Sequence, residues 1–109
     1  MNYFNLSAPE YEKKVLQEKD CAVLVFFNSE EYASNLIYET IIEQLSVFFS
    51  GVCTFYRVDT QLEQTLIDKL AIDEVPTVII YNQGELQDIV VGIYPKYYVK
   101  NRIIEAVND

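Results

Sequence analysis

Two cysteines, Cys21 and Cys53, are the residues of this sequence best suited to covalent chemistry. Their thiols could exchange with a disulfide, a reaction that needs an accessible thiolate. Each cysteine opens an apolar run of strand length, which predicts that both are buried. We therefore expect two reduced thiols and no catalytic residue.

Histidine is absent, which removes several classes of site. No imidazole is present to act as a general base, to bind a metal ion or to complete a Ser-His-Asp triad. Two cysteines without histidine cannot supply the four ligands of a zinc site. Glu30, Glu31 and Glu39 could form a cation site, but the helix dipole is explanation enough for acids at a helix start. We expect no metal and no cofactor.

Length and charge limit the class of protein. The 109 residues suit a single domain over residues 1–109. The formal net charge of −9 disfavours nucleic acids and anionic membranes as partners and favours a basic one. The sequence has neither a signal peptide pattern nor an apolar run that could span a bilayer. We expect a cytoplasmic protein, either a monomer or a weak homodimer.

The strands are predicted from apolar runs bounded by turn residues. The run at residues 21–27 is continuously apolar, which is typical of a strand covered by helices on both faces, and residues 52–58 and 75–81 are predicted to form two further buried strands. A turn at 82–85 followed by a run at 86–92 indicates an antiparallel hairpin. A short edge strand is predicted at residues 3–6.

The helices are predicted from capping signals and apolar spacing. Capping boxes at residues 7–10 and 60–63 and a proline at 95 predict three helix starts. The first helix should run from Ala8 to about Lys19 and Asp20, and a long helix should run from Tyr32 to Phe49. The core face predicted for the long helix comprises Leu36, Ile37, Ile41, Leu45 and Phe48, with Phe49 partly exposed. The helix after the second box should bury Leu62, Leu66, Ile67 and Leu70, and the last helix should bury Val99, Ile103, Ile104 and Val107.

The order β-α-β-α-β-α-β-β-α predicts an α/β fold with a central mixed sheet and helices on both faces. With these elements in place, the chain resembles the thioredoxin family over nearly its whole length. The matching residues are Val23-Leu24-Val25-x-Phe27, Val58-Asp59, Ile72-x-x-Val75-Pro76-Thr77, Asn82-x-Gly84-Glu85 and Val91-Gly92. The resemblance implies a thioredoxin fold and a cis Val75–Pro76 bond.

The family's Cys-x-x-Cys motif is not matched at its usual place. By this resemblance Tyr32 and Asn35 stand at the two cysteine positions, with Ala33 and Ser34 between them. Phe26 and Phe55 replace the aspartate and the lysine that assist proton transfer in the family. Dithiol–disulfide oxidoreductase activity is therefore not expected.

The predicted function is that of a redox-inactive module that binds a protein or peptide in the cis-proline groove. The residues of this predicted groove are Glu31, Tyr32, Ala33, Ser34, Asn35, Val75, Pro76, Thr77, Gly92, Ile93 and Tyr94. Gly92 is expected to permit close approach of a partner backbone, and extended peptides can pair with such backbone groups. The mixture of aromatic rings and acids favours a partner segment with apolar and basic residues.

The alternative is a thiol-dependent oxidoreductase of the thioredoxin family, acting in redox homeostasis through Cys21 or Cys53. Neighbouring parallel strands lie roughly 4.8 Å apart, so a Cys21–Cys53 bridge is geometrically conceivable, although strained within a sheet. A glutathione-transferase role for Tyr32 and Ser34 is disfavoured, because the sequence lacks the helical second domain of those enzymes.

Overall fold

A five-stranded mixed sheet forms the centre of the computed structural model, which describes residues 2–108 except the side chains of 32–35. The elements are β1 (Tyr3–Asn5), β2 (Cys21–Phe27), α1 (Tyr32–Phe48), β3 (Cys53–Asp59), α2 (Gln64–Leu70), β4 (Thr77–Asn82), β5 (Glu85–Val91) and α3 (Lys96–Val107). The strand order is β1-β3-β2-β4-β5. β3 runs parallel to β1 and β2, whereas β4 is antiparallel to β2 and β5. This arrangement confirms the predicted α/β thioredoxin fold.

The central strand β2 is buried along its whole length. Its alternate side chains enter two separate cores, one on each face of the sheet, as expected of a strand covered on both sides. One core lies beneath α1 and α3 and includes Cys21, Cys53, Leu45, Phe49 and Ile103. The other lies beneath α2 and the segment before β2 and includes Tyr11, Val15, Leu24, Phe26 and Leu66. The cysteine side chains therefore belong to the face that α1 and α3 cover.

The first predicted helix is shorter and less regular than expected. The Ser7 backbone N–H and hydroxyl both donate to the Glu10 carboxylate, at 3.0 and 2.8 Å, so the capping box forms. However, it is followed by a 3-10 turn and a π-helical turn, and these end at Leu16 instead of Lys19 and Asp20. The turn stops where its backbone meets the β4–β5 hairpin, since a Cβ on Gly84 would lie 2.1 Å from the Leu16 carbonyl oxygen.

The second capping box does not form. Asp59 organises this segment instead, because its carbonyl accepts the N–H groups of Leu62 and Glu63. The Glu63 carboxylate, which the box would have used, accepts the backbone N–H of Ala8 at 2.8 Å. α2 therefore begins at Gln64, and Leu62, predicted to be buried, is 74% exposed.

The core face predicted for α1 is also wrong in part. Leu45 is buried, but Leu36, Ile37 and Phe48 are exposed. The buried face instead includes Tyr38, Glu39, Ile42, Ser46 and Phe49. Glu39 can occupy this face because Arg57 and Tyr3 lie beneath it to bind its carboxylate. Glu39 is therefore not available to a cation site with Glu30 and Glu31, because its carboxylate is paired with Arg57 inside the protein.

Candidate functional site

Two regions carry the candidate chemistry, and the first is the predicted groove at Pro76. The Val75–Pro76 peptide bond is cis. Pro76 and Thr77 are buried, and the Thr77 hydroxyl donates to the Glu74 carbonyl at 2.6 Å. The Gly92 N–H donates to the Pro76 carbonyl at 2.9 Å. The segments that contain Val75, Pro76, Thr77 and Gly92 are thus brought side by side.

The 31–35 segment lies at the same end of the sheet. Thr77 pairs with Phe26 in the β2–β4 register, and the segment follows β2 directly. Glu31 is exposed in a 3-10 turn, where its N–H donates to the Asn28 carbonyl at 2.9 Å. Residues 32–35 form the first turn of α1, and their side chains lie outside the described part of the structure. A binding role for this segment therefore stays a prediction.

Gly92, Ile93 and Tyr94 continue this surface. Ile93 and Tyr94 are exposed, and the Tyr94 ring stacks on Tyr98 with a centroid distance of 4.5 Å. Gly92 has a φ of +102°, whereas a Cβ at this position would approach only a Tyr94 ring carbon, at 3.8 Å. The backbone conformation alone accounts for glycine here, without the close approach of a partner.

The second region is the thiol pair at the opposite end of the sheet. Cys21 and Cys53 are the first residues of β2 and β3, and the parallel register places them directly opposite each other. Both are free thiols, 2% and 3% exposed. The contact with the Cys21 sulfur raises the pKa of the Cys53 thiol, and burial raises it further. The fold therefore brings the two thiols of the sequence into contact in a dry environment.

Backbone and amide groups enclose the thiol pair. The Cys53 N–H donates to the Phe49 carbonyl at 2.9 Å. The Asn2 side-chain amide donates to the Cys53 carbonyl at 2.7 Å and to the Ser46 carbonyl at 2.8 Å. On the other side, Asn82 pairs with Cys21 in the β2–β4 register. The Asn82 amide donates to the Ala106 carbonyl in the last turn of α3, at 3.1 Å.

A Cys21–Cys53 bridge is conceivable from the sequence, but the contacts of Asn2 and Asn82 beside the thiols are not predictable from it. Part of the signal for the thiol pair was available, because each cysteine stands at the start of a predicted strand, but the register that places them opposite each other was not. The two asparagines gave no comparable signal. Their partners are main-chain carbonyls far away in the sequence, and no side-chain pattern announces such groups.

A large groove in the described part of the chain lies away from both regions. It has a volume of about 960 Å³ and lies beside the edge strand β1, between α1 and the segment before β2. Its cations are already paired, Arg57 with Glu39 and Lys14 with Glu10. These two cations are therefore not free to bind an anionic ligand.

The described residues form neither a metal site nor a membrane-spanning helix. No three acid or cysteine side chains there gather in a way that could hold a metal ion. Likewise, none of the helices described has both the length and the apolar character needed to cross a membrane.

Comparison with known proteins identifies the family. The thioredoxin family model matches residues 2–105. Thioredoxin M4, chloroplastic, of Arabidopsis thaliana is 34% identical over 99 residues, which are 91% of this chain and 51% of the plant protein. Thioredoxins of Chlorobaculum thiosulfatiphilum and Rickettsia bellii are 25% and 28% identical over 105 residues, 96% of this chain and 96% and 95% of theirs. The chain thus spans about half of the plant relative and nearly all of the bacterial ones.

These relatives overturn the predicted function. The interpretation as a redox-inactive binding module is wrong, because all three relatives are named thioredoxins and the chain holds two cysteines that the fold pairs. The match of the family model over residues 2–105 covers nearly the whole sequence, including both cysteines and Pro76. The chain belongs to the thioredoxin family.

Proposed function

We propose that the chain is a thiol–disulfide oxidoreductase whose redox centre is the Cys21–Cys53 pair. The single observation that carries the proposal is the register in which the two cysteines face each other on β2 and β3. Adjacent strands are about 4.8 Å apart, and disulfides join Cα atoms over about 4.4–6.8 Å, so the pair is spaced for a reversible bridge. The names of the three relatives support the same class of activity.

The position of this centre departs from the one that the family resemblance implied. Residues 32–35 are Tyr-Ala-Ser-Asn and carry no thiol, so exchange cannot occur at the start of α1. The two thiols of the sequence lie at the other end of β2, and any exchange must pass through them.

The reaction transfers two electrons from the dithiol to a substrate disulfide. One protein thiolate attacks a substrate sulfur, which forms a mixed disulfide and releases the first substrate thiolate. The second protein thiolate then attacks the protein sulfur of the mixed disulfide and releases the second substrate thiolate. The Cys21–Cys53 disulfide is formed, and the two protons lost by the protein thiols balance those taken up by the two products. An external dithiol restores the starting state by the reverse exchange.

The two cysteines have different roles in this scheme. The neighbouring Cys21 and burial both raise the pKa of the Cys53 thiol, which disfavours a Cys53 thiolate at neutral pH. We therefore assign the attack on the substrate to Cys21 and the resolution of the mixed disulfide to Cys53. In a reducing compartment such as the cytoplasm, the dithiol is the resting form.

The binding of a polypeptide partner in the groove at Pro76 remains a prediction. The groove of Val75, Pro76, Thr77 and Gly92 is proposed to contact a protein with apolar and basic residues, in keeping with the net charge of −9.

The test is reduction of insulin disulfides driven by dithiothreitol, with the wild type, Cys21→Ser, Cys53→Ser and the double variant. The wild type should exceed the double variant, which controls for any effect of the fold alone. Cys53→Ser should accumulate a mixed disulfide with a small aromatic disulfide, and Cys21→Ser should not. Equal rates for the wild type and the double variant would remove the proposal.

A further inference from the structure

We infer that the terminal turn of α3 (residues 103–107) controls access to the thiol pair, and that the side-chain amide of Asn82 holds this turn closed. The inference rests on the proposed function, since controlled access to the thiols matters only if they react. The opening of residues 103–107 can nevertheless be measured without any redox activity.

The terminal turn of α3 packs on the face of the sheet that carries the thiols. Ile103 and Ala106 are buried in the same core as Cys21 and Cys53. Asn82 is the residue opposite Cys21 on β4, and its amide reaches the Ala106 carbonyl. One side-chain hydrogen bond thus joins the end of β4 beside Cys21 to the terminal turn of α3.

The preceding turn of α3 is fastened separately. The Arg102 guanidinium forms a two-pronged ion pair with the Asp88 carboxylate on β5. This contact fixes the helix to the sheet just before Ile103 begins the terminal turn. An opening after Arg102 would therefore release residues 103–107 and leave the rest of α3 in place.

The α1 side of the thiol pair is tied more firmly. The Asn2 amide bridges the Ser46 and Cys53 carbonyls, and the N–H groups of Val52 and Cys53 both donate to the Phe49 carbonyl. Opening this side would break these four hydrogen bonds between α1, β3 and the chain before β1, whereas the α3 turn is a helix end held to β4 by the Asn82 bond. Helix ends fray at a lower free energy than segments inside the fold. The thiols should therefore become accessible on the α3 side.

The experiment measures N-ethylmaleimide labelling of Cys21 in a Cys53→Ser background, with no disulfide substrate. Asn82→Ala removes the amide on the α3 side, and Asn2→Ala is the matched removal on the α1 side. Urea unfolding of each protein gives the part of the labelling that passes through global unfolding. We expect Asn82→Ala to speed labelling about fivefold beyond that part, as loss of one neutral hydrogen bond predicts, and Asn2→Ala to have no such excess.

Two results would overturn the gate. Labelling that rises in both variants only in proportion to their loss of global stability would mean that the thiols react from the unfolded state. An excess confined to Asn2→Ala would place the entry on the α1 side.

Hydrogen exchange of the wild-type amides at residues 104–107 provides a second measurement that needs no variant. These amides should open with the same equilibrium constant as the labelling of Cys21, and protection equal to that of the β2 amides would contradict the gate. Faster labelling together with an inactive insulin assay would reject the proposed function and leave the gate standing, so the two failures are distinguishable.

Discussion

Glu39 on α1 and Arg57 on β3 form an ion pair beneath the helix, with the glutamate only 5% exposed. The Arg57 Nε–H donates to the carboxylate at 3.0 Å, and the Tyr3 hydroxyl donates to its other oxygen at 3.0 Å. The guanidinium also lies over the Tyr3 ring, 4.3 Å from its centroid. This group links α1, β1 and β3, and it determines which face of α1 is turned toward the sheet.

Glu39→Ala should therefore destabilise the protein strongly. It leaves the Arg57 guanidinium and the Tyr3 hydroxyl without their acceptor, a loss of about 2–3 kcal/mol for a pair that is partly open to solvent. Urea unfolding measures this value. Glu43→Ala is the matched control, because Glu43 lies 4.0 Å from the same guanidinium and is mostly exposed. Its cost should stay below about 0.5 kcal/mol, and equal costs for the two variants would contradict the role assigned to Glu39.

Tyr38→Phe should stabilise the protein. The Tyr38 hydroxyl is buried and has no hydrogen-bond partner among the residues that the structure describes. Removing an unsatisfied polar group from the core should add about 1 kcal/mol to the free energy of unfolding at pH 7. A measured loss of stability would indicate that the hydroxyl has a partner.

The same variant should change the response to alkaline pH. Burial raises the pKa of Tyr38 to about 12, above its ordinary value of 10.0. Folding thus favours the protonated hydroxyl. The contribution of Tyr38 to the free energy of unfolding is fully present below pH 10 and is lost as the pH rises through about 12. The advantage of Tyr38→Phe over the wild type should grow across this range, to as much as about 2 kcal/mol beyond its value at pH 7. A constant difference across that range would be the contrary result.

Asp88→Asn should weaken the protein at neutral pH and matter less in acid. The Arg102 guanidinium holds the pKa of the Asp88 carboxyl below its ordinary value of 3.8. Its contribution is present above the pKa of the unfolded chain and is lost as the pH falls through the lower folded value. The stability difference between the wild type and the variant should therefore shrink below about pH 4. Unfolding curves at pH 7 and pH 3 measure it, and a difference that widens in acid would contradict the ion pair.

Gly84→Ala should be far more damaging than Gly51→Ala. Both glycines have positive φ, +79° and +87°, so alanine is strained at either one by about 1–2 kcal/mol. Only at Gly84 would the new Cβ meet the backbone, 2.1 Å from the Leu16 carbonyl oxygen. We expect a loss of more than about 3 kcal/mol for Gly84→Ala, because two backbone segments must separate. Thermal unfolding measures both losses of stability. Equal losses for the two variants would show that the positive φ, and not the contact with Leu16, determines the cost.

The sequence predicted the strands well because their signal is local. The apolar run from Cys21 to Phe27 is buried on both faces of the sheet, so its burial can be predicted without knowing which face each side chain occupies. The helix faces were harder to predict. α1 carries apolar residues all round, and its orientation depends on Arg57, which lies 18 residues beyond Glu39 and on another strand. Phe48 and Phe49 were assigned to opposite environments from those observed, 58% and 5% exposed, for the same reason.

The surroundings of Pro76 were easier to predict from the sequence than those of the thiol pair. The neighbours of Pro76 follow from strand register, which the hairpin turn sets locally. The thiol centre depends on which strands are adjacent and on where each one begins, and its asparagine contacts involve carbonyls that every residue possesses. Long-range main-chain contacts of this kind leave no trace in residue type.

The placement of the cysteines at the first residues of β2 and β3 has a consequence for how molecules can meet this protein. β2 extends over six residue steps from Cys21 to Phe27, a length of about 20 Å, and the cis-proline bond lies beside its far end. A polypeptide held at Pro76 cannot bring a sulfur atom to Cys21 unless it also spans the length of the sheet. In the proposed function, recognition at Pro76 and electron transfer at Cys21 would therefore take place at opposite ends of one small domain, and a mutation at one end should leave the other end intact.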